Sequence, residues 1–215
     1  MRAVGLLGGS FNPAHDGHRY ISLLALKRLR LSAVWWLVAP QNPLKDAADL
    51  APYDTRLAQA RLVARHPRIR VSAIERDIGT IYTVDTLEVL TRRFPRIRFV
   101  WMIGADNLIQ ISTWERWQRI FRLVPVAVFA RPPYAFKAHA SVAASRFAAA
   151  RVDEARVAGL PWRAPPAWAF LHTRLHPASA TIIRAKRRVD AAANACGAGA
   201  PRDHVQKEPG HTSDR

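Results

Sequence analysis

Short apolar runs alternate with longer amphipathic ones along most of this 215-residue chain. Ala3–Leu7, Ala33–Ala39, Ile69–Ala73, Ile97–Ile103 and Val126–Ala130 are too short for buried helices and too uniformly apolar for strands with a wet face. They read as strands covered on both sides. Gly17–Arg30, with Ile21, Leu24, Ala25 and Leu29 near a 3.6-residue spacing, reads as a helix, as do Pro52–His66, Thr83–Arg93 and the shorter Thr113–Phe121. Doubly covered strands separated by helices predict an α/β fold with a mostly parallel sheet.

The expected architecture is therefore Rossmann-like and doubly wound. Arg131-Pro132-Pro133 closes the fifth strand, Ala138–Ala150 fits a helix, Gly159–Pro166 a Pro-rich loop, Ala169–Leu171 a last strand and Ala180–Arg188 a helix start. After Asp190 the apolar periodicity ends, and Cys196–Arg215 is Gly, Pro and charge. One domain over residues 1–190 and a disordered basic and polar tail over 191–215 are expected. No internal repeat or interdomain linker is evident.

Composition narrows the function classes. Lys+Arg is 33 against 16 Asp+Glu, a net charge of +17, which favours anionic partners. Only Lys27, Lys45, Lys137, Lys186 and Lys207 are lysines, so the excess is arginine, and Arg28, Arg61, Arg92 and Arg146 fall where solvated helix faces would be. Solvated surface and compositional bias explain it ahead of a nucleic-acid patch. The single cysteine, Cys196, rules out an intramolecular disulfide and a cysteine metal cluster. No apolar stretch approaches the roughly 20 residues of a membrane span, and the N-terminus meets Gly8-Gly9 too early for a signal-peptide core. A reducing cytoplasm is the expected compartment.

The chemistry concentrates where the first strand runs into Gly8-Gly9-Ser10-Phe11-Asn12-Pro13-Ala14-His15-Asp16-Gly17-His18 and then a helix. Ligands of parallel sheets sit beyond the carboxyl ends of strands. Glycines there let backbone N–H groups approach an anion, and the helix start adds its positive dipole end. The loop is neither a Walker loop nor a GxGxxG fingerprint. Its two imidazoles, three residues apart, can project from one side of the helix start toward one phosphate. An ordinary turn with surface histidines and a zinc pair are the alternatives, the latter needing a further ligand that no spacing supplies.

This segment resembles the nucleotidyltransferase superfamily whose N-terminal signature is GG-[ST]-F-[DN]-P-x-H-x-G-H; its H-x-G-H element, filled by His15-Asp16-Gly17-His18, implies only nucleotidyl transfer, because the superfamily also includes pantetheine-phosphate, nicotinamide-nucleotide, cytidylyl- and FAD-forming enzymes. Four further segments narrow the resemblance: Pro40-Gln41-Asn42-Pro43-Leu44-Lys45, Tyr82-Thr83-Val84-Asp85-Thr86-Leu87, Ile103-Gly104-Ala105-Asp106-Asn107 followed by Trp114, and Ser179-Ala180-Thr181-Ile182-Ile183-Arg184. In this order they resemble the bacterial nicotinate-nucleotide adenylyltransferase family, to about Arg188. Ser10 and Asn12 replace the family's commoner Thr and Asp. The second loop lacks its P-P-H-[KR] and leaves Lys45 as the basic end. Pro133 stands where R-P-G is usual, so that turn must avoid positive φ.

The resemblance implies catalytic roles for His15, His18 and Arg184, and ATP contacts from Gly8, Gly9, Ser10, Phe11, Lys45, Gly104, Asp106, Ser179 and Thr181. It implies nicotinate-nucleotide contacts from Asn42, Tyr82, Thr86 and Trp114, with Trp114 stacking on the pyridine and Thr86 receiving its carboxylate. Residue chemistry is compatible: Thr83 can cap a helix whose first turn, containing Thr86, welcomes a carboxylate. Asp106 follows a strand and can accept from a ribose or cap the next helix. Ser179, Thr181 and Arg184 fit a helix start that meets phosphate, or a capped helix with a basic face. Trp117 reads as packing, and the adjacent Trp35 and Trp36 as core residues on opposite faces.

The implied reaction transfers the adenylyl group of ATP to nicotinate mononucleotide, giving deamido-NAD and pyrophosphate. Mg²⁺ would arrive with ATP, no protein metal site being expected. Nicotinamide mononucleotide is the nearest alternative acceptor. A basic nucleic-acid-binding α/β protein is the alternative from another class, without an RNP-type strand or helix-turn-helix to support it. Neither nucleic acid nor membrane is an expected partner, and the sequence carries no signal for an oligomeric state.

Overall fold

Five parallel pairings join six strands: β1 (Arg2–Gly9), β2 (Ala33–Val38), β3 (Ile69–Ser72), β4 (Ile97–Gly104), β5 (Val126–Phe129) and β6 (Trp168–Leu171). Their spatial order is β3-β2-β1-β4-β5-β6. The chain steps outward from β1 to β3, crosses back, and continues from β4 on the other side. The winding direction therefore reverses between β1 and β4, where an open parallel sheet leaves a crevice at its carboxyl edge. The computed structural model describes residues 1–41, 50–131 and 134–173, all within the compact unit Met1–Ala180. The expected domain boundary near 190 and the expected tail lie outside the described residues.

Strand alternation sorts side chains into two cores. Ala3, Leu7, Val34, Trp36, Val100, Met102, Ala127, Phe129, Ala169 and Leu171 face one layer; Val4, Leu6, Leu37, Phe99, Trp101, Ile103, Val126, Val128, Trp168 and Phe170 face the other. Trp35 and Trp36 do fall on opposite sides, Trp36 fully buried in the first core and Trp35 edge-on to Phe94 and Phe99 in the second. Helices α1 (Asp16–Arg28) and α2 (Tyr53–Ala64) cover the first face through residues such as Leu26, Leu57 and Ala60. The short α3 (Ile74–Asp77) follows β3. The second face is covered by α4 (Thr83–Arg93), α5 (Ala105–Gln110) and α6 (Trp117–Leu123), with α7 (Ala135–His139) and α8 (Val142–Arg146) beyond β5. Leu87 and Leu90 of α4 are fully buried, each contributing roughly 2 kcal/mol of transfer free energy.

Several local expectations are corrected. Thr113–Phe121 is not one helix: a 3₁₀ turn, Ile111–Thr113, is followed by a break at Arg116 and then α6. Arg116 sits at φ 44°, held by ion pairs to Asp85, Glu88 and Glu115. A long-range charge cluster thus overrides local helix propensity. Ala138–Ala150 divides where the Ser141 hydroxyl accepts the Ala144 N–H at 3.2 Å and starts a new helix. The Pro-rich stretch is partly ordered as a 3₁₀ helix, Glu154–Trp162, capped by Asp153. Among the arginines, Arg61, Arg92 and Arg146 are exposed, and Arg28 pairs with Glu154 at 2.9 Å. Among the described residues, no helix is long and apolar enough to cross a membrane.

Candidate active site

The β1–α1 junction assembles itself from backbone hydrogen bonds to imidazoles. His15 is the N-cap of α1, and its Nδ1 accepts the Gly17 N–H at 3.1 Å. Nδ1 of His18 accepts the His15 N–H at 3.2 Å. This is a capping box built from two histidines in place of Ser and Glu. A backbone N–H can only donate, so each Nδ1 is the acceptor and the hydrogen of each neutral ring sits on Nε2. The ring centroids are 3.9 Å apart. Two neutral N–H donors are therefore paired at a helix start, next to the two glycines.

A buried scaffold holds this pair. Phe11, at φ 47°, stacks on Trp36 with centroids 5.1 Å apart and meets the His18 ring at a 42° tilt, 4.8 Å away. A bulky residue in the left-handed region costs about 1–2 kcal/mol, which the aromatic contacts offset. The Trp36 indole N–H donates to the Ser22 hydroxyl at 2.8 Å, and that hydroxyl donates to the His18 carbonyl at 2.8 Å. Core, helix and histidine are thereby one hydrogen-bonded chain.

Arg56, only 1% exposed, fastens the loops around it. Its guanidinium donates to the carbonyls of Ser10 (2.7 Å), Ala39 (2.8 Å), Pro40 (2.8 Å) and Ala51 (2.9 Å). The Asn12 side-chain oxygen accepts the Ala51 N–H at 3.3 Å. No sequence signal distinguished Arg56 from arginines on exposed helix faces.

On the other face of the sheet, at the same carboxyl edge, lies a cavity of about 340 Å³. Gly8, Gly9 and Ser10 form one wall, Ala39 and Gln41 a second, Tyr82 and Thr83 a third, and Trp101, Asn107 and Trp114 a fourth. Gly8 is required here by packing: an added Cβ would lie 2.4 Å from the Trp101 ring. The indole N–H groups of Trp101 and Trp114 are buried without a partner among the described residues, two orphan donors in the cavity wall. His15 and His18 are not among the lining residues, so the Gly8–Ser10 segment is what the cavity and the imidazole pair share.

The other expected site residues distribute as follows. Tyr82 is the N-cap of α4, its side chain making no cap hydrogen bond, and Thr83 its first residue; the Asp85 and Thr86 N–H groups donate to the Tyr82 carbonyl at 3.1 and 3.2 Å, so the helix-start donors beside the cavity are those of Thr83 and Val84. Thr86 is fully buried and does not line it. Its hydroxyl instead meets Thr80 Oγ1 at 2.8 Å, Glu75 Oε1 at 3.2 Å and the Tyr82 carbonyl at 3.3 Å. Trp114 lines the cavity from the turn before α6, and Trp117 packs edge-on against Phe121 and Phe147. Gly104, and not Asp106, is the N-cap of α5. One Asp106 oxygen pairs with Arg131 at 3.1 Å while the other is buried and has no partner among the described residues. An added Cβ at Gly104 would lie 2.3 Å from that second oxygen. Asn42, Lys45, Pro133, Ser179, Thr181 and Arg184 lie outside the described residues. Glu75, Trp101 and Arg131 were not singled out by sequence as site residues, and Thr83 was read only as a helix cap; of the first three, only Arg131, ahead of two prolines at a strand end, carried a usable signal.

Glu75 is the electrostatic outlier of the cavity. Burial pushes its carboxyl from the ordinary 4.5 up to about 7, with the Thr86 hydroxyl pulling the other way.

Comparison with known proteins gives a consistent picture. A family model described as cytidylyltransferase-like matches residues 6–186. A protein of Parvibaculum lavamentivorans named "Probable nicotinate-nucleotide adenylyltransferase" is 54% identical over 181 residues, 84% of this chain and 90% of that one. One of the same name from Cereibacter sphaeroides is 52% identical over 185 residues, 86% of this chain and 97% of that one. Among solved structures, Plasmodium falciparum nicotinic acid mononucleotide adenylyltransferase complexed with NaAD superimposes with a TM-score of 0.65 at 14% identity, over 86% of this chain and 83% of that one. At that identity the likeness concerns the fold.

Proposed function

Because the chain belongs to the nicotinate-nucleotide adenylyltransferases of the cytidylyltransferase-like family, we propose the following reading of its site. The protein transfers the adenylyl group of ATP to nicotinate mononucleotide, giving deamido-NAD and pyrophosphate. A phosphate oxygen of the nicotinate nucleotide attacks the α-phosphorus of ATP in line. The bond from that phosphorus to the bridging oxygen breaks on the opposite side, and pyrophosphate leaves. A phosphate is already a competent nucleophile at neutral pH, so no covalent enzyme intermediate and no general base are needed. What the protein supplies is orientation and charge stabilisation.

The observation that carries this reading is the locked imidazole pair. With Nδ1 of His15 and of His18 occupied by backbone N–H groups, both Nε2–H groups are donors before substrate arrives. They need no reorganisation as charge builds on the phosphate oxygens. The Gly8–Ser10 segment joins that pair to the cavity, which suits the acceptor: Trp114 offers a flat ring for the pyridine, and Tyr82 with Thr83 and the α4 N–H groups offers neutral donors for its carboxylate. The buried setting of Thr86 favours Thr83 over it for direct contact. Arg184, Ser179, Thr181 and Lys45 keep their proposed phosphate roles from the motif resemblance alone, as Asn42 keeps its acceptor role. The divalent ion that accompanies such transfer is read as magnesium bound to ATP, part of the substrate, and the compartment as the cytoplasm.

The test is pyrophosphate release by purified protein with Mg-ATP, comparing nicotinate with nicotinamide mononucleotide and including His18→Ala. Release with the nicotinate form, lost in the variant, is expected. Equal release with both acceptors would overturn the carboxylate pocket, and no release with either would overturn the reading.

A further inference from the structure

Glu75 is a buried acid that the reaction above does not use. It is 7% exposed, yet it lines the same cavity as Tyr82, Thr83 and Trp114, and its Oε1 accepts the Thr86 hydroxyl one turn into α4. The charged groups around it do not neutralise it. On its own helix, Arg76 is engaged by Asp54 at 3.0 Å and Asp77 at 3.9 Å, and lies over the Tyr53 ring. From α2, the ionisable neighbours are Tyr53, its own hydroxyl pushed up chiefly by burial, and Arg56, 5.3 Å from the Tyr53 ring centroid and engaged by four carbonyls. From α4, Asp85 is paired with Arg116; β2 carries no ionisable side chain. The turn before α6 contributes Glu115, 3.9 Å from Arg116. Among the described lining residues the acids are Glu75 and Glu115, and there is no lysine or arginine.

A pyridine carboxylate entering this cavity therefore meets a second carboxyl group in a poorly solvated wall whose described residues include no cationic side chain. Two carboxylates in such a setting do not both ionise; one keeps a proton. We infer that Glu75 is a specificity residue of the acceptor pocket, taking up a proton when the nicotinate carboxylate binds, so that recognition of the acid substrate is proton-linked. As a carboxylate Glu75 only accepts, and it adds charge repulsion. As a carboxylic acid it is a further neutral donor beside the start of α4. Its position near 7 in the empty protein makes the uptake inexpensive at physiological pH. The carboxamide of nicotinamide mononucleotide carries no charge and makes no such demand. The inference rests on the adenylyltransferase reading.

Titration calorimetry of the full-length protein with nicotinate mononucleotide, in two buffers of different ionisation enthalpy at roughly pH 8, counts protons directly. At that pH the substrate phosphate is already fully ionised. Uptake approaching about one proton per nucleotide is expected, with none in Glu75→Gln. In steady state, the wild-type KM for the nicotinate nucleotide should rise about twentyfold between roughly pH 6.5 and 8.5, a rise that Glu75→Gln abolishes. The wild-type calorimetry stands alone if the variant fails to fold. Binding and turnover without proton uptake would overturn this inference and leave the adenylyltransferase reading intact. Absence of nicotinate-nucleotide binding by folded wild-type protein would overturn both.

Discussion

The Arg56 guanidinium donates to the Ser10 carbonyl at 2.7 Å, so a buried charge on α2 fixes the loop that follows β1. The same group binds the carbonyls of Ala39, Pro40 and Ala51, and among the described residues no carboxylate shares the task. Removing it strands four carbonyls in a dry setting. Arg56→Ala should cost about 3 kcal/mol or more in urea unfolding and raise the KM for ATP. Lysine has a point charge in place of a planar fork, so Arg56→Lys should recover only part of both losses. Unchanged stability in Arg56→Ala would show that the loops hold themselves.

The histidine pair should fail as a unit. His18→Ala is expected to lower kcat by about a hundred- to a thousandfold, as loss of a preorganised donor does. His15→Ala should lower it similarly and also cost about 1 kcal/mol of stability through the lost N-cap. The double variant should be little slower than either single one, because each ring orients its neighbour through the His15 N–H and the capping geometry. Single-turnover rates with saturating substrates provide the measurement, and strict multiplicativity would refute the coupling.

Trp114 separates acceptor binding from chemistry. Trp114→Ala should raise the KM for nicotinate mononucleotide about tenfold or more, by loss of ring stacking and buried area, with little change in the KM for ATP. Trp114→Phe should restore most of that affinity, since phenylalanine keeps the flat face. A selective loss of ATP affinity would assign the tryptophan to the other substrate.

Glu75 also makes a stability prediction independent of any ligand. Its carboxyl lies at about 7 in the folded protein against an ordinary 4.5, so between those values the folded state holds a proton that the unfolded chain has released. Stability therefore falls as pH rises through that window, by about 3 kcal/mol from end to end, and stays at the lower level above it. Glu75→Gln should remove this slope and be more stable than wild type at roughly pH 8, while differing little near pH 4.5. Chemical denaturation across pH checks this, and parallel pH profiles of the two proteins would refute it.

The strands and the two-faced core were legible in the chain because alternation is local. Val4 and Leu6 against Ala3 and Leu7, or Trp35 against Trp36, fall on opposite faces whatever else happens. Thr83–Arg93 matched the observed helix end to end, its apolar residues recurring with helical period. The Gly8-Gly9 and His15/His18 signal was legible for the same reason, since strand, turn, caps and ligand groups all lie within eleven consecutive residues.

Only the tertiary structure decided the fate of single polar residues. Arg56 and Arg61 are five apart on one helix, yet one is buried under four carbonyls and the other is exposed. Thr86 looked like a ligand group and turned inward to Glu75 and Thr80, while Thr83, read as a cap, lines the cavity. The helix expected across Trp114 broke because Arg116 met acids on α4, 28 and 31 residues earlier in the chain. Periodicity is a property of neighbouring residues and survives in the sequence. Desolvation, charge pairing and the lining of a cavity are set by groups brought together from distant parts of the chain, and they exist only once the sheet has closed its crevice between β1 and β4.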